Sequence, residues 1–196
     1  MKTVLISIQP KWCELIAKGD KTIEVRKTKP KIDTPFKCYI YETQSLYKGS
    51  GGCLFNGRGK VIGEFVCDDI CEYMPYKWRE GGFEGLNYMY NPTLCYESRL
   101  SQSEITKYAN RGKVYGWHIS NLVIYEKPKE LSDFITFCPE WEKGYFTNKC
   151  LRCKYYFSNC ADMRHECTVE GEKRLKRPPQ SWCYIDHPTE KGGVQE

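Results

Sequence analysis

Nowhere in the 196 residues does an apolar run approach the roughly 18–20 residues that a membrane-spanning helix needs. The opening MKTVLISIQPKW holds only a few consecutive apolar residues and no small-residue cleavage site, so it reads as a first strand and not as an export signal. Internal repeats and low-complexity tracts are missing as well. These absences set aside a membrane protein and a routine secreted one, and the expectation is a cytoplasmic chain in a reducing compartment. What is present is ordinary for a globular protein, with 40% hydrophobic and 28% charged residues in 23.0 kDa. That is enough for one domain with an appendage, or for one large domain.

Twelve cysteines are many for such a chain, and their placement matters more than their number. Cys13, Cys38, Cys53, Cys67, Cys71, Cys95 and Cys138 are scattered through patterned segments, where a free thiol behaves as a small apolar group. The others crowd the C-terminal region as Cys150-x2-Cys153-x6-Cys160-x6-Cys167-x15-Cys183. In a reducing compartment that crowd points to metal before disulfides. A CxxC pair grips one ion from a single tight turn, and two further thiolates close a tetrahedron. Zinc is the expected ion, with an iron–sulfur cluster as the alternative. Five candidates for four places leave one spare. The segment is too poor in aliphatic side chains to build a core of its own, so the reading is a domain over 1–136 and a Cys-rich, metal-stabilised extension over 137–196 packed on it.

Charge is unevenly spread. The net +5 divides into +5 over residues 1–37, −2 over 38–148, +4 over 149–177 and −2 in the tail. Two basic stretches flank a mildly acidic middle, and basic patches attract polyanions such as nucleic acid. A lysine-rich surface that keeps the protein soluble is the plainer reading.

Periodicity supplies the elements. Thr3–Ile8 reads as a strand, and Pro10 opens a short helix with Trp12, Leu15 and Ile16 as its apolar stripe and Gly19 as its terminator. Lys21–Thr28 and Lys37–Thr43 read as strands, the Gly-rich 48–59 region as a loop, and Val61–Cys67 as a central strand covered on both faces. Residues 74–100 mix five Gly and Pro with many aromatics, which suggests an irregular insertion. Ser101-Gln-Ser-Glu104 is a capping box opening a helix that ends near Gly112; Val114–Tyr125 reads as one long strand and Pro128–Phe134 as a short helix. Strands that follow one another through loops predict an α+β fold built on an antiparallel sheet or small barrel.

Gly19-Asp-Lys21-Thr-Ile-Glu24-Val-Arg26 is the most informative stretch. It sets a lysine at a turn, then a carboxylate and a guanidinium two residues apart on one strand face, about 6.6 Å from each other. Arg offers a planar fork for phosphate or a base edge, Lys a mobile charge, Glu an acceptor for amino groups. A salt-bridge ladder on the surface is the plainer meaning of the spacing.

Ile8-x-Pro10-x-Trp12 followed by Gly19-x-Lys21-x-x-Glu24-x-Arg26 resembles the ASCH domain family, which is related to the PUA domains of RNA-modifying proteins and carries GxKxxExR after its first helix. Val61-Ile-Gly-Glu-Phe, the Leu100-Ser-x-x-Glu helix start and Tyr115-Gly-Trp-x-Ile119 resemble its later elements. The resemblance spans about residues 1–135. It implies a small PUA-like β-barrel with flanking helices and a cleft in which Trp12, Lys21, Glu24, Arg26 and Glu64 bind RNA or a nucleotide. One branch resembles an N4-acetylcytidine amidohydrolase using a Lys, a Thr and a Glu; Lys21 matches the first, Glu24 stands where the Thr would be, and Glu97 lies near the third. An enzyme on a modified nucleoside or an RNase, with Lys21, Glu24 and Glu97 as catalytic groups, is therefore the second hypothesis. The third is a phage-encoded factor acting on a host protein. Arg177-Pro-Pro-Gln-Ser-Trp-Cys183-Tyr is similar to an ending of phage and prophage ASCH proteins, and that likeness implies Cys150, Cys153, Cys167 and Cys183 as the zinc ligands, with Cys160 as substitute.

Glu64 inside VIGEFVC needs a partner, which Lys21 or Arg26 across the cleft would supply; a polar slot at a barrel edge would serve equally. His118, between Trp117 and Ile119, reads as a packed strand residue. Gly57-Arg-Gly59-x-x-x-Gly63 leads into a strand, so it lacks the helix N-terminus that makes a phosphate loop work.

Overall fold

The computed structural model describes residues 3–48, 54–80, 83–88, 90–137, 156–159, 164–167 and 172–185. In chain order they form β1 (Thr3–Ile8), α1 (Pro10–Ala17), β2 (Ile23–Arg26), β3 (Phe36–Glu42), β4 (Leu46–Lys48), β5 (Leu54–Asn56) and β6 (Val61–Cys67). Then follow β7 (Ile70–Tyr73), β8 (Pro75–Glu80), β9 (Phe83–Tyr88), α2 (Pro92–Ser98), α3 (Gln102–Ala109), β10 (Val114–His118) and β11 (Ser120–Lys129). A 3-10 turn at Leu131–Asp133 leads into β12 (Ile135–Phe137), β13 (Tyr156–Asn159), β14 (Arg164–Cys167), β15 (Glu172–Arg174) and β16 (Trp182–Ile185). The fold is α+β and dominated by sheet, and no helix among the described residues is long and apolar enough to cross a membrane.

β1 is buried at every position, so it needs neighbours on both edges and cover on both faces. It lies inside a five-stranded sheet ordered β11-β6-β3-β1-β16. The β1–β3 pair is parallel, with Ile8 opposite Glu42, because the chain crosses over through α1 and β2; every other pair in the sheet is antiparallel. A purely antiparallel sheet is therefore not what forms. A three-stranded sheet, β2-β10-β7, faces the first. The chain turns from one sheet to the other between β6 and β7 at Asp68–Asp69, and again between β10 and β11 at Ile119. The stretch read as one long strand is thus two, broken where the sheets meet.

Val4, Ile6, Phe36 and Phe65 from the first sheet meet Tyr115 and Trp117 from the second, with Phe36 edge-on to Trp117 at 5.8 Å. A second cluster on the outer face of the large sheet joins Leu5, Tyr39 and Val61 to Leu131, Phe134 and Ile185. A third packs Ile23 and Val25 against Leu94, Ile105 and Ala109 of the two later helices. Residues 74–100 are more regular than composition suggests: β8 and β9 pair as a hairpin, and Asn91 caps α2 by accepting from the Leu94 N–H at 2.7 Å. Trp78 and Phe83 have the strand propensity that the glycines around them obscured.

β12 pairs antiparallel with β15, Phe137 opposite Glu172. The chain then runs through β16 into the large sheet. The C-terminal segment thus contributes a strand hydrogen-bonded to β1.

Candidate functional site

The turn after α1 builds the site. Gly19 takes a positive φ of 76°, and the Gly19, Asp20 and Lys21 N–H groups donate back to Ile16 and Leu15 carbonyls at 2.9–3.2 Å. This closure brings the Lys21 side chain inward, where it is 2% exposed. Its ammonium donates to the Ile23 carbonyl at 2.7 Å and the Ser98 carbonyl at 2.8 Å, and lies 3.2 Å from Glu24 Oε2. Ser98 ends α2, so Lys21 satisfies a carbonyl the helix leaves open and places a cation at its negative end. Glu24 Oε1 lies 3.1 Å from Arg26 Nη2, which also donates to the Ser7 carbonyl at 2.6 Å.

The two faces of β2 divide the labour. Ile23 and Val25 enter the third core cluster; Glu24 and Arg26 face β1 and α1. Lys21, Glu24 and Arg26 form one connected ionic triad, two cations to one carboxylate, with Glu24 8% and Arg26 11% exposed. Burial holds the Lys21 pKa below the ordinary lysine value, against the pull of Glu24. Arg26 Nε and Ser98 Oγ are buried and find no hydrogen-bond partner among the described residues. Trp12 completes the group, with Lys11 Nζ 4.4 Å and Lys21 Nζ 5.3 Å from its ring centroid.

Two residues that sequence reasoning passed over adjoin this cluster. Glu42, the last residue of β3, is buried, and the Arg58 guanidinium Nε stands 3.6 Å from its Oε2. The charges of Glu42, Glu24, Arg26 and Arg58 all act on the buried Cys13 thiol, whose pKa burial raises first of all; the four groups surround one point at the start of α1. Arg58 sits between the two glycines set aside as a false phosphate loop. The only available signal was an arginine bracketed by glycines, and that pattern identifies no site by itself.

Glu64 belongs elsewhere. A bulge at Ile62 sets Phe65 and Cys67 toward the core between the sheets and Glu64 toward the opposite face. There it accepts from Lys37 Nζ at 2.7 Å and from the Tyr125 hydroxyl at 2.5 Å, so it pairs with neither Lys21 nor Arg26. Burial raises its pKa, and these two hydrogen bonds outweigh that to give a net lowering. Glu97 accepts the Thr22 N–H through its backbone carbonyl, while its carboxylate acts on Cys71 and Tyr73 of β7. His118 Nδ1 lies 2.6 Å from Asp68 at the corner between the sheets. A cavity of about 180 Å³ lined by Glu72, Tyr73, Tyr90, Leu94 and Ile105 lies on the far side of β2 from the triad.

Cys150, Cys153 and Cys160 lie outside the described residues, and Cys167 ends β14, of which only the backbone is described. Cys183 is placed: it stands opposite Leu5 in the sheet and packs with Tyr125 and Leu175 on the outer cluster, where burial raises its thiol to about 11. The three cysteines expected to share a zinc ion with Cys183 include two, Cys150 and Cys153, that lie outside the described residues.

No curated protein sequence matches the chain. Among solved structures, ASCH from Zymomonas mobilis is similar at 17% identity and a TM-score of 0.50, covering 94% of this chain and 87% of that one. A mutant of the same protein is similar at 20% identity and a TM-score of 0.45, covering 67% and 77%. At such identities the likeness concerns the fold. The ASCH domain family model matches residues 6–129, a stretch that takes in the ionic triad, Trp12 and the Gly57–Gly59 loop together. The chain belongs to the ASCH domain family.

Proposed function

We propose that the protein binds RNA or a nucleotide at the cluster of Trp12, Lys21, Glu24 and Arg26. The observation that carries this reading is the unused Arg26 donor: among the described residues its buried Nε has no acceptor, inside a triad with one cation in excess. A buried donor left unmade costs about 1–3 kcal/mol, which an anionic or carbonyl acceptor on a ligand would recover. Trp12 beside it offers a face on which a base can stack, worth roughly 1–3 kcal/mol.

The test is fluorescence anisotropy with short labelled RNAs, together with thermal shift by nucleotides. Affinity should fall about sevenfold between 50 and 200 mM salt if two phosphates are neutralised. Arg26→Gln and Trp12→Leu should each weaken binding by about tenfold, the loss of one charge-assisted bond or one stacked base. Unchanged affinity in both variants would remove the site from this cluster.

A second reading, hydrolysis of a modified nucleoside such as N4-acetylcytidine or cleavage of RNA, draws on Lys21. A lysine with a lowered pKa beside a carboxylate is the kind of group that moves protons in catalysis. Chromatography of N4-acetylcytidine and of RNA incubated with the protein would reveal product; intact substrates would leave binding as the function.

A further inference from the structure

The Gly57–Gly59 loop is built more tightly than a surface turn requires. A Cβ on Gly57 would sit 1.9 Å from the Thr43 carbonyl oxygen and 2.5 Å from Pro10 Cγ, so only glycine fits against the first residue of α1. Gly59 has a φ of +67°, and a Cβ there would stand 2.6 Å from the Gln44 side chain. Between them, the Arg58 N–H points at Glu42 Oε2 at 3.4 Å, and the Gly57 N–H donates to the Ser45 carbonyl at 3.1 Å. The backbone that carries Arg58 is thus fixed to the ends of β3 and α1.

The Arg58 side chain is different. It is 60% exposed, and its only partner among the described residues is Glu42, at a loose 3.6 Å through Nε. A guanidinium has five N–H donors in a planar fork, so most of this one's hydrogen-bonding capacity faces solvent. It does so beside the start of α1, where Gly57 packs against Pro10, two residues before Trp12. Counting Glu42 with Glu24, the cluster has three cations and two carboxylates. Arg26 is nearly buried and committed to Glu24 and Ser7; Arg58 is the cation with room for a planar, doubly hydrogen-bonded anion.

We infer that Arg58 is the phosphate-recognising residue of this site, held by Glu42 and the two glycines so that the site selects a phosphorylated nucleotide or an RNA phosphodiester over an uncharged nucleoside. This rests on the binding function proposed above. Glu42 holds the backbone beneath the guanidinium, its buried carboxylate accepting from the Arg58 N–H.

Calorimetric titration of the 196-residue chain with the four common ribonucleosides and their 5′-monophosphates tests the inference. The unmodified protein should bind at least one monophosphate about tenfold or more tightly than its nucleoside, the gain expected of a charge-assisted bidentate contact. Arg58→Ala should bring that ratio close to one while nucleoside affinity stays within about twofold, and Arg58→Lys should restore part of it, because a point charge attracts phosphate without the fork. If Arg58→Ala keeps the full preference, or if the unmodified protein has none, Arg58 is not the phosphate contact and the binding reading still stands. If no nucleoside, monophosphate or short RNA binds at all, the binding reading falls and this inference falls with it.

Discussion

At the scale of single residues, Lys21 is both part of the candidate site and part of what holds the domain together. Its ammonium serves two backbone carbonyls and Glu24 while almost wholly removed from water. Lys21→Ala would leave Glu24 buried beside Arg26 alone and strip both carbonyls of their donor. Breaking a buried pair in this way costs about 3–5 kcal/mol, and the expected result is a lower urea midpoint at unchanged slope. Lost ligand binding in that variant would therefore reflect stability as much as recognition. Arg58, outside the hydrogen-bonded triad, separates the two roles.

At the scale of elements, legibility followed sequence distance. The capping box at Ser101 was readable because both of its hydrogen bonds lie within four residues: Glu104 N–H to Ser101 Oγ at 3.3 Å, and Ser101 N–H to Glu104 Oε2 at 2.8 Å. The Gly19 stop and the meeting of Lys21, Glu24 and Arg26 were local too. Glu64 faces Lys37 and not the cleft because one bulged residue at Ile62 reverses which face a strand position occupies, and a bulge has no local signal in VIGEFVC. Glu42 and Arg58 stayed hidden because they meet only when the end of β3 and the Gly57–Gly59 loop are folded together. The C-terminal cysteines illustrate the same limit, since spacing nominates ligands without saying which thiols another core will claim. The proposed zinc should appear as one equivalent per chain by elemental analysis in reducing buffer. Cys150→Ala and Cys183→Ala should each abolish it, since a closed tetrahedral site needs all four thiolates.

At the scale of the whole molecule, the fold is closed by its C-terminal part. Residues 179–185 give β1 its second neighbour, with the Ser7 hydroxyl donating to the Pro179 carbonyl at 2.7 Å and the Thr3 hydroxyl to the Ile185 carbonyl at 3.0 Å. The Trp182 indole N–H reaches Thr28 Oγ1 at 2.9 Å, and its ring packs 5.9 Å from that of Trp117. A chain stopped after Phe137 would keep every residue the family model matches yet expose the edge of a strand that is buried at every position. Such an edge templates association, so the shortened chain should elute as aggregate in size-exclusion chromatography while the full chain does not. The same pairing sets a schedule for synthesis. Ile8 is made 174 residues before Trp182. At roughly 5–20 residues per second, the outer edge of β1 waits about 9–35 s for its partner to be made. Late in that interval, once β11 has been made, the large sheet lacks only its last strand, and a chaperone that shields strand edges would find its substrate on the ribosome rather than in the finished molecule.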